Sequence, residues 1–94
     1  MKSAAKISIL MPVRNDATML RNCLADIENQ SMTDYELVVV DDGSTDETPD
    51  LLKKASQRDS RIQMIRTEPH GIVSALNTGL NECKGQYIAR MDVD

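Results

Sequence analysis

The stretch from Leu37 to Asp46 constrains the fold more than any other, because an unbroken aliphatic run, Leu37-Val38-Val39-Val40, ends at once in Asp41-Asp42-Gly43-Ser44-Thr45-Asp46. Four aliphatic residues in a row predict a strand covered on both faces, as in a parallel sheet flanked by helices. Asp41 and Asp42 are expected to emerge where that strand stops, and Gly43 permits a bend that other residues resist. Ser44, Thr45 and Asp46 suit the cap of a following helix. Strand, acidic turn and helix start make one βα unit, and in open α/β sheets such turns line the crevice where ligands bind. Paired carboxylates there suit a metal ion, a sugar hydroxyl or a base N–H.

The rest of the chain alternates in the same way. Ile7 to Val13 is apolar at nearly every position and predicts a first strand, with Pro12 marking where it leaves the sheet. Arg14, Asn15 and Asp16 form a polar turn in which Asn15 or Asp16 caps a helix over Ala17–Gln30, whose Leu20, Cys23, Leu24 and Ile27 share one face. Tyr35–Val40 is the second strand. Thr48 and Pro49 open a second helix that runs to Arg58, with Leu51, Leu52 and Ala55 as its stripe. Ile62, Met64 and Ile65 predict a short third strand at a sheet edge. After Glu68-Pro69-His70-Gly71 a third helix carries Val73, Leu76, Leu80 and Cys83 on its apolar face and ends at Gly85; Tyr87–Met91 is the fourth strand.

The order βαβαβαβ, with crossovers long enough for parallel strands, predicts an α/β fold: a Rossmann-like three-layer α/β/α half-sheet with strand order 3-2-1-4. The first two helices then cover one face and the third covers the other. Cys23 and Cys83 fall on opposite faces, too far apart for a disulfide. Residues 1–94 form a single domain, and a chain that stops on Asp94, directly after a predicted strand, is expected to be a fragment.

Composition narrows the function classes. The core must be aliphatic, since the 94 residues include no Phe and no Trp. A net charge of −4 argues against a nucleic-acid or anionic-membrane surface, which needs clustered Lys and Arg. No apolar run approaches the roughly 20 residues of a membrane span, and no leader precedes a cleavage site, so a cytoplasmic location is expected.

Parallel topology brings the ends of strands one, two and four to one rim, where Pro12–Asn15, Asp41–Asp46 and Asp92–Asp94 converge, and the carboxylates among them are expected to share one crevice. Like charges so placed call for a counter-ion, and oxygen-only ligands suit Mg²⁺ or Mn²⁺ over zinc. Taken singly, each motif has an ordinary structural explanation. Asp-Gly-Ser after a strand is common turn chemistry, His70 reads as a loop residue, and Arg14 as a solvated turn residue that could also stack on a base or meet a phosphate.

Taken together, Ile7–Asn15, Val38–Asp46, Gly71–Asn77 and Tyr87–Asp94 resemble the N-terminal part of the family 2 glycosyltransferases with the GT-A fold, over essentially the whole chain. The resemblance implies a metal-assisted, inverting transfer from a nucleotide-diphosphate sugar, with a UDP-sugar favoured, to a saccharide or lipid-linked acceptor, as in polysaccharide biosynthesis. It implies nucleotide-binding roles for Pro12, Val13, Arg14, Asn15, Asp41, Asp42 and Asp92. Pro12 and Arg14 would pack against the base, Asp42 would accept the uracil N3–H, and Asp41 would support it or reach the ribose. Asp92 and Asp94 resemble the family's DxD motif, with Asp94 on the metal and Asp92 facing the ribose or sugar. Many members carry Arg where this chain has Leu76. The family's catalytic base lies beyond the segment matched, so no catalytic residue is assigned and the chain alone is expected to be inactive. The longer protein could be membrane-associated, and an exposed sheet edge leaves room for self-association. Two alternatives stay open: a non-catalytic nucleotide-binding or assembly module, and a DxD phosphohydrolase, which would carry its motif after the first strand rather than the fourth.

Overall fold

The computed structural model describes residues 5–93. Seven elements alternate along the chain: β1 (Ile7–Val13), α1 (Ala17–Asn29), β2 (Tyr35–Asp42), α2 (Thr48–Arg58), β3 (Ile62–Thr67), α3 (Ile72–Glu82) and β4 (Tyr87–Arg90). The strands form one parallel sheet in the order β3-β2-β1-β4, as the crossover lengths predict. Among the described residues, no helix is long and apolar enough to cross a membrane.

Because successive side chains of a strand point to opposite faces, each buried strand feeds two cores. Met11, Val13, Leu37 and Val39 pack with Leu20, Ile27 and Leu52 beneath α1 and α2. Leu10, Val38 and Val40 pack with Ala75 beneath α3. Cys23 borders the first cluster and Cys83 the second, both as free thiols.

Three expectations need correction. β2 runs through Asp42 rather than stopping at Val40, since Asp41 and Asp42 keep register with Arg66 and Thr67 of β3. α3 uses a different face from the one its large residues suggest: Ala75 and Gly79 are buried, whereas Val73 is 69% exposed and Leu80 44%. Small residues let this helix lie close on Leu10 and Val40, so its bulkier side chains sit toward solvent or only border the core. Finally, Gly85 does not end α3. The helix stops at Glu82, with Cys83 extended as its cap, and Gly85 instead lies against the β1 backbone, where a Cβ would come within 2.6 Å of Ser8 N.

That close approach belongs to a small polar cluster. Ser8 Oγ donates to the Glu36 carboxylate, which also accepts from Lys84 N, and Gly85 N donates to Ser8 Oγ at 2.8 Å. The α3–β4 loop is thereby fixed to the two central strands, and β4 enters the sheet beside β1.

Candidate functional site

The carboxyl ends of β1, β2 and β4 open onto a cleft of about 400 Å³, on the side of the sheet that α3 covers. Its wall includes Pro12, Val13, Arg14 and Asp16 from the end of β1, Asp42 from β2, Ile72 and Ala75 from α3, and Arg90, Asp92 and Val93 from the end of β4. The three segments expected at one rim therefore do meet there, although not every carboxylate among them faces the opening.

The strand period explains which do. With β2 continuing through Asp42, its two aspartates must point to opposite faces. Asp42 follows Val38 and Val40 onto the α3 side and lines the cleft. It is 6% exposed, and its two oxygens accept from His70 N at 2.9 Å and Gly71 N at 3.0 Å, so it also ties down the β3–α3 loop just ahead of α3. A carboxylate oxygen has two lone-pair sites, so both keep capacity for a ligand donor. Asp41 turns the other way and is fully buried; Oδ1 accepts from Ser44 N at 3.0 Å, and Oδ2 has no partner among the described residues. Asp41, expected to support Asp42 or reach the ribose, therefore does not line the cleft itself.

Asn15 and Asp46 are also drawn away from the cleft. Asn15 Oδ1 accepts from Thr45 N at 2.7 Å and Asp46 N at 3.2 Å. Asp46 caps two helices at once, accepting from Thr48 N at 2.9 Å and from Ala17 N at 3.3 Å. Hydrogen bonds from Thr48 hold its carboxyl below the ordinary value of 3.8. Asp16 occupies the cap position of α1 without using its side chain as a cap, and lines the cleft instead.

Gly43 sits at the bend with φ +73°, where a side chain would be strained and a Cβ would lie 2.6 Å from Pro69 Cδ. The close approach of Pro69 brings the β3–α3 loop against the acidic turn and helps deliver His70 and Gly71 to Asp42.

Sequence reasoning missed Arg90, Ile72, Ala75 and Asp16 as cleft residues. Arg90 Nε donates to Asp92 Oδ1 at 3.1 Å, and both side chains are about half exposed. The signal was present in the spacing, since residues two apart on an extended chain share a side.

The divalent cation that the resemblance implies needs only oxygen donors and one or two protein carboxylates when substrate phosphates complete its shell. Asp92, an exposed carboxylate on the cleft wall, fits that requirement. Among the described residues no group of three or more His, Cys, Asp or Glu side chains forms a metal cage. Asp94 lies outside the described residues.

With this geometry established, comparison with known proteins gives a consistent result. The glycosyl transferase family 2 model matches residues 8–94. The chain is 43% identical over 89 residues to glycosyltransferase GlyA of Streptococcus pneumoniae, covering 95% of this chain and 13% of that protein. It is 35% identical over 94 residues to a chondroitin synthase of Escherichia coli, covering 100% of this chain and 14% of that one. Among solved structures, the mannosyltransferase PcManGT from Pyrobaculum calidifontis, in complex with GDP-Man and Mn²⁺, superposes with a TM-score of 0.87 at 28% identity, covering 98% of this chain and 28% of its own. S. aureus TarS 1-349 gives 0.85 at 26%, covering 95% and 27%. The chain thus spans a small share of the relatives it matches, but the match runs through every strand end that builds the cleft. The chain belongs to glycosyl transferase family 2.

Proposed function

We propose that this chain is the donor-binding portion of a glycosyltransferase that takes a nucleotide-diphosphate sugar, UDP-linked by preference, with Mg²⁺ or Mn²⁺, for inverting transfer to an acceptor hydroxyl. The observation that carries this is the convergence of Arg14, Asp42 and Asp92 on one cleft at the carboxyl edge of the sheet, in a fold shared with a mannosyltransferase solved with GDP-Man and Mn²⁺.

Each residue has work suited to its chemistry. The rigid Pro12–Val13 surface gives a nucleobase an apolar wall. The Arg14 guanidinium can stack on the base or meet a phosphate. Asp42, held by two backbone N–H groups, is an acceptor fixed in place for a base N–H, and Asp92 faces the ribose or the cation. Asp94, the second acid of the DxD motif, is proposed as a metal ligand. A divalent cation, when bound, supplies positive charge against the leaving diphosphate.

The matched motifs carry donor contacts and no acceptor base, so the 94-residue chain is expected to bind donor without transferring the sugar. The same proposal puts the chain in the cytoplasm and its acceptor, a saccharide or lipid-linked saccharide, in the hands of the longer protein. The open edge of β4, whose four residues are all exposed, is proposed as a place for self-association.

Calorimetric titration of UDP and GDP, each with Mn²⁺ and with EDTA, tests the assignment. Saturable binding that weakens in EDTA is expected, UDP being the tighter ligand. Absence of binding by either nucleotide contradicts the assignment, and tighter GDP would overturn the base preference alone.

A further inference from the structure

Asn15 sits between two residues of the cleft wall, Arg14 and Asp16, yet its own side chain is bonded to the β2–α2 loop. Its backbone lies in the left-handed region at φ 50°, which asparagine tolerates better than most residues. Contacts between the two loops then run in both directions. Asn15 N donates to Ser44 Oγ at 2.9 Å, and Asn15 Oδ1 accepts from Thr45 N and Asp46 N. In return, Asp46 accepts from Ala17 N at the start of α1. Ser44 is anchored in its turn: its N–H donates to the buried Asp41, and its carbonyl accepts from Arg66 Nη2 at 3.0 Å. Asn15, with Ser44 and Asp46, therefore joins the loop carrying Arg14 to the loop that follows Asp42.

We infer that Asn15 is the positioning residue of the cleft, clamping the β1–α1 loop onto the β2–α2 loop and so fixing the spacing between Arg14 and Asp42, a role that rests on the nucleotide assignment above. Asn15 touches no ligand in this role. Its effect is preorganisation: a cleft whose walls are already held apart at the right distance loses less freedom when a nucleotide enters. Neither hydrophobic cluster includes Asn15, so removing the clamp loosens the cleft without dismantling the core.

Three variants separate these effects. Asn15→Gly keeps the left-handed backbone accessible and removes the acceptor. Asn15→Asp keeps an acceptor. Ser44→Ala removes only the partner of Asn15 N and serves if the glycine variant fails to fold. Each is titrated with UDP and with GDP in the presence of Mn²⁺, and amide hydrogen exchange is followed at position 15, Ala17, Thr45 and Asp46, the amides bonded between the two loops. For Asn15→Gly, binding is expected to weaken about tenfold, the value of roughly one net hydrogen bond, with a cooperative melt near that of the parent and faster exchange at all four amides. Asn15→Asp is expected to recover much of both losses, and Ser44→Ala to show a smaller loss in the same direction. Unchanged affinity or unchanged exchange in Asn15→Gly overturns the clamp, as do equal losses in the glycine and aspartate variants. If the parent chain binds neither nucleotide, the nucleotide assignment has failed, and exchange alone decides the clamp. Lost protection in both loops then supports it, and protection retained in either one overturns it.

Discussion

Asp42 holds the β3–α3 loop through two hydrogen bonds and is proposed as the base acceptor, and its substitutions should separate the two roles. It leaves two backbone N–H groups of the β3–α3 loop without partners if truncated, so Asp42→Ala is expected to cost about 1–3 kcal/mol of stability in urea unfolding. Asp42→Asn keeps one of the two acceptors and sets an NH2 against the other backbone N–H, so it should lose less stability than the alanine variant, while weakening uridine nucleotide by about 1.5–3 kcal/mol through loss of the charged acceptor. An alanine variant as stable as the parent would show that the two hydrogen bonds are idle; an asparagine variant with full affinity would remove Asp42 from the base site.

Two other carboxyls contribute to the acid side of the stability profile. Hydrogen bonds from Thr48 lower the pKa of Asp46, and the side chain of Arg61 lowers that of Asp59, each from 3.8. A depressed folded-state value means that the stabilisation is complete above the unfolded value and is lost as pH falls through the folded one. Thermal midpoints should therefore hold from neutral pH to about 4 and drop below it, and Asp59→Asn should flatten that drop. At this scale the sequence was partly legible. Pro12, Val13, Arg14, Asp42 and Asp92 were placed at the cleft from motif and topology. Asp41 and Asn15 were not separated from them, because the two extra residues of strand leave no mark in residue type, and an asparagine only permits, without requiring, the left-handed backbone found at Asn15.

At the level of the elements, the α3–β4 loop is the most sensitive junction. Gly85 packs against backbone atoms of Ile7 and Ser8, which cannot yield as a flexible side chain would. Gly85→Ala is expected to destabilise the fold by about 1–3 kcal/mol and to raise amide exchange in β4 before the other strands. Uniform exchange across all four strands would contradict that placement. Helix and strand bounds were largely readable, since apolar stripes at helical spacing give way to short, nearly continuous apolar runs bounded by turn residues. The face of α3 was not. Periodicity marks large apolar residues, whereas this helix meets the sheet through Ala75 and Gly79, and a preference for small residues at close packing is invisible to a count of hydrophobic positions.

For the molecule as a whole, strand order, handedness and the division of the two cysteines between faces follow from parallel crossovers, and these are the features that bring distant motifs to one rim. The opposite end of the sheet carries its own groove, where Arg61 stacks on Tyr35 at 4.3 Å beside Arg58 and Asp59. That groove is an internal control for ligand location. The decisive measurement is a set of amide correlation spectra of the chain titrated with UDP, then with trace Mn²⁺. Saturable shifts at Arg14, Asp42 and Ile72, with Mn²⁺-dependent broadening centred on Asp92 and Val93, are predicted. Shifts confined to Arg58–Arg61, or none that saturate, would contradict a nucleotide site at the carboxyl edge.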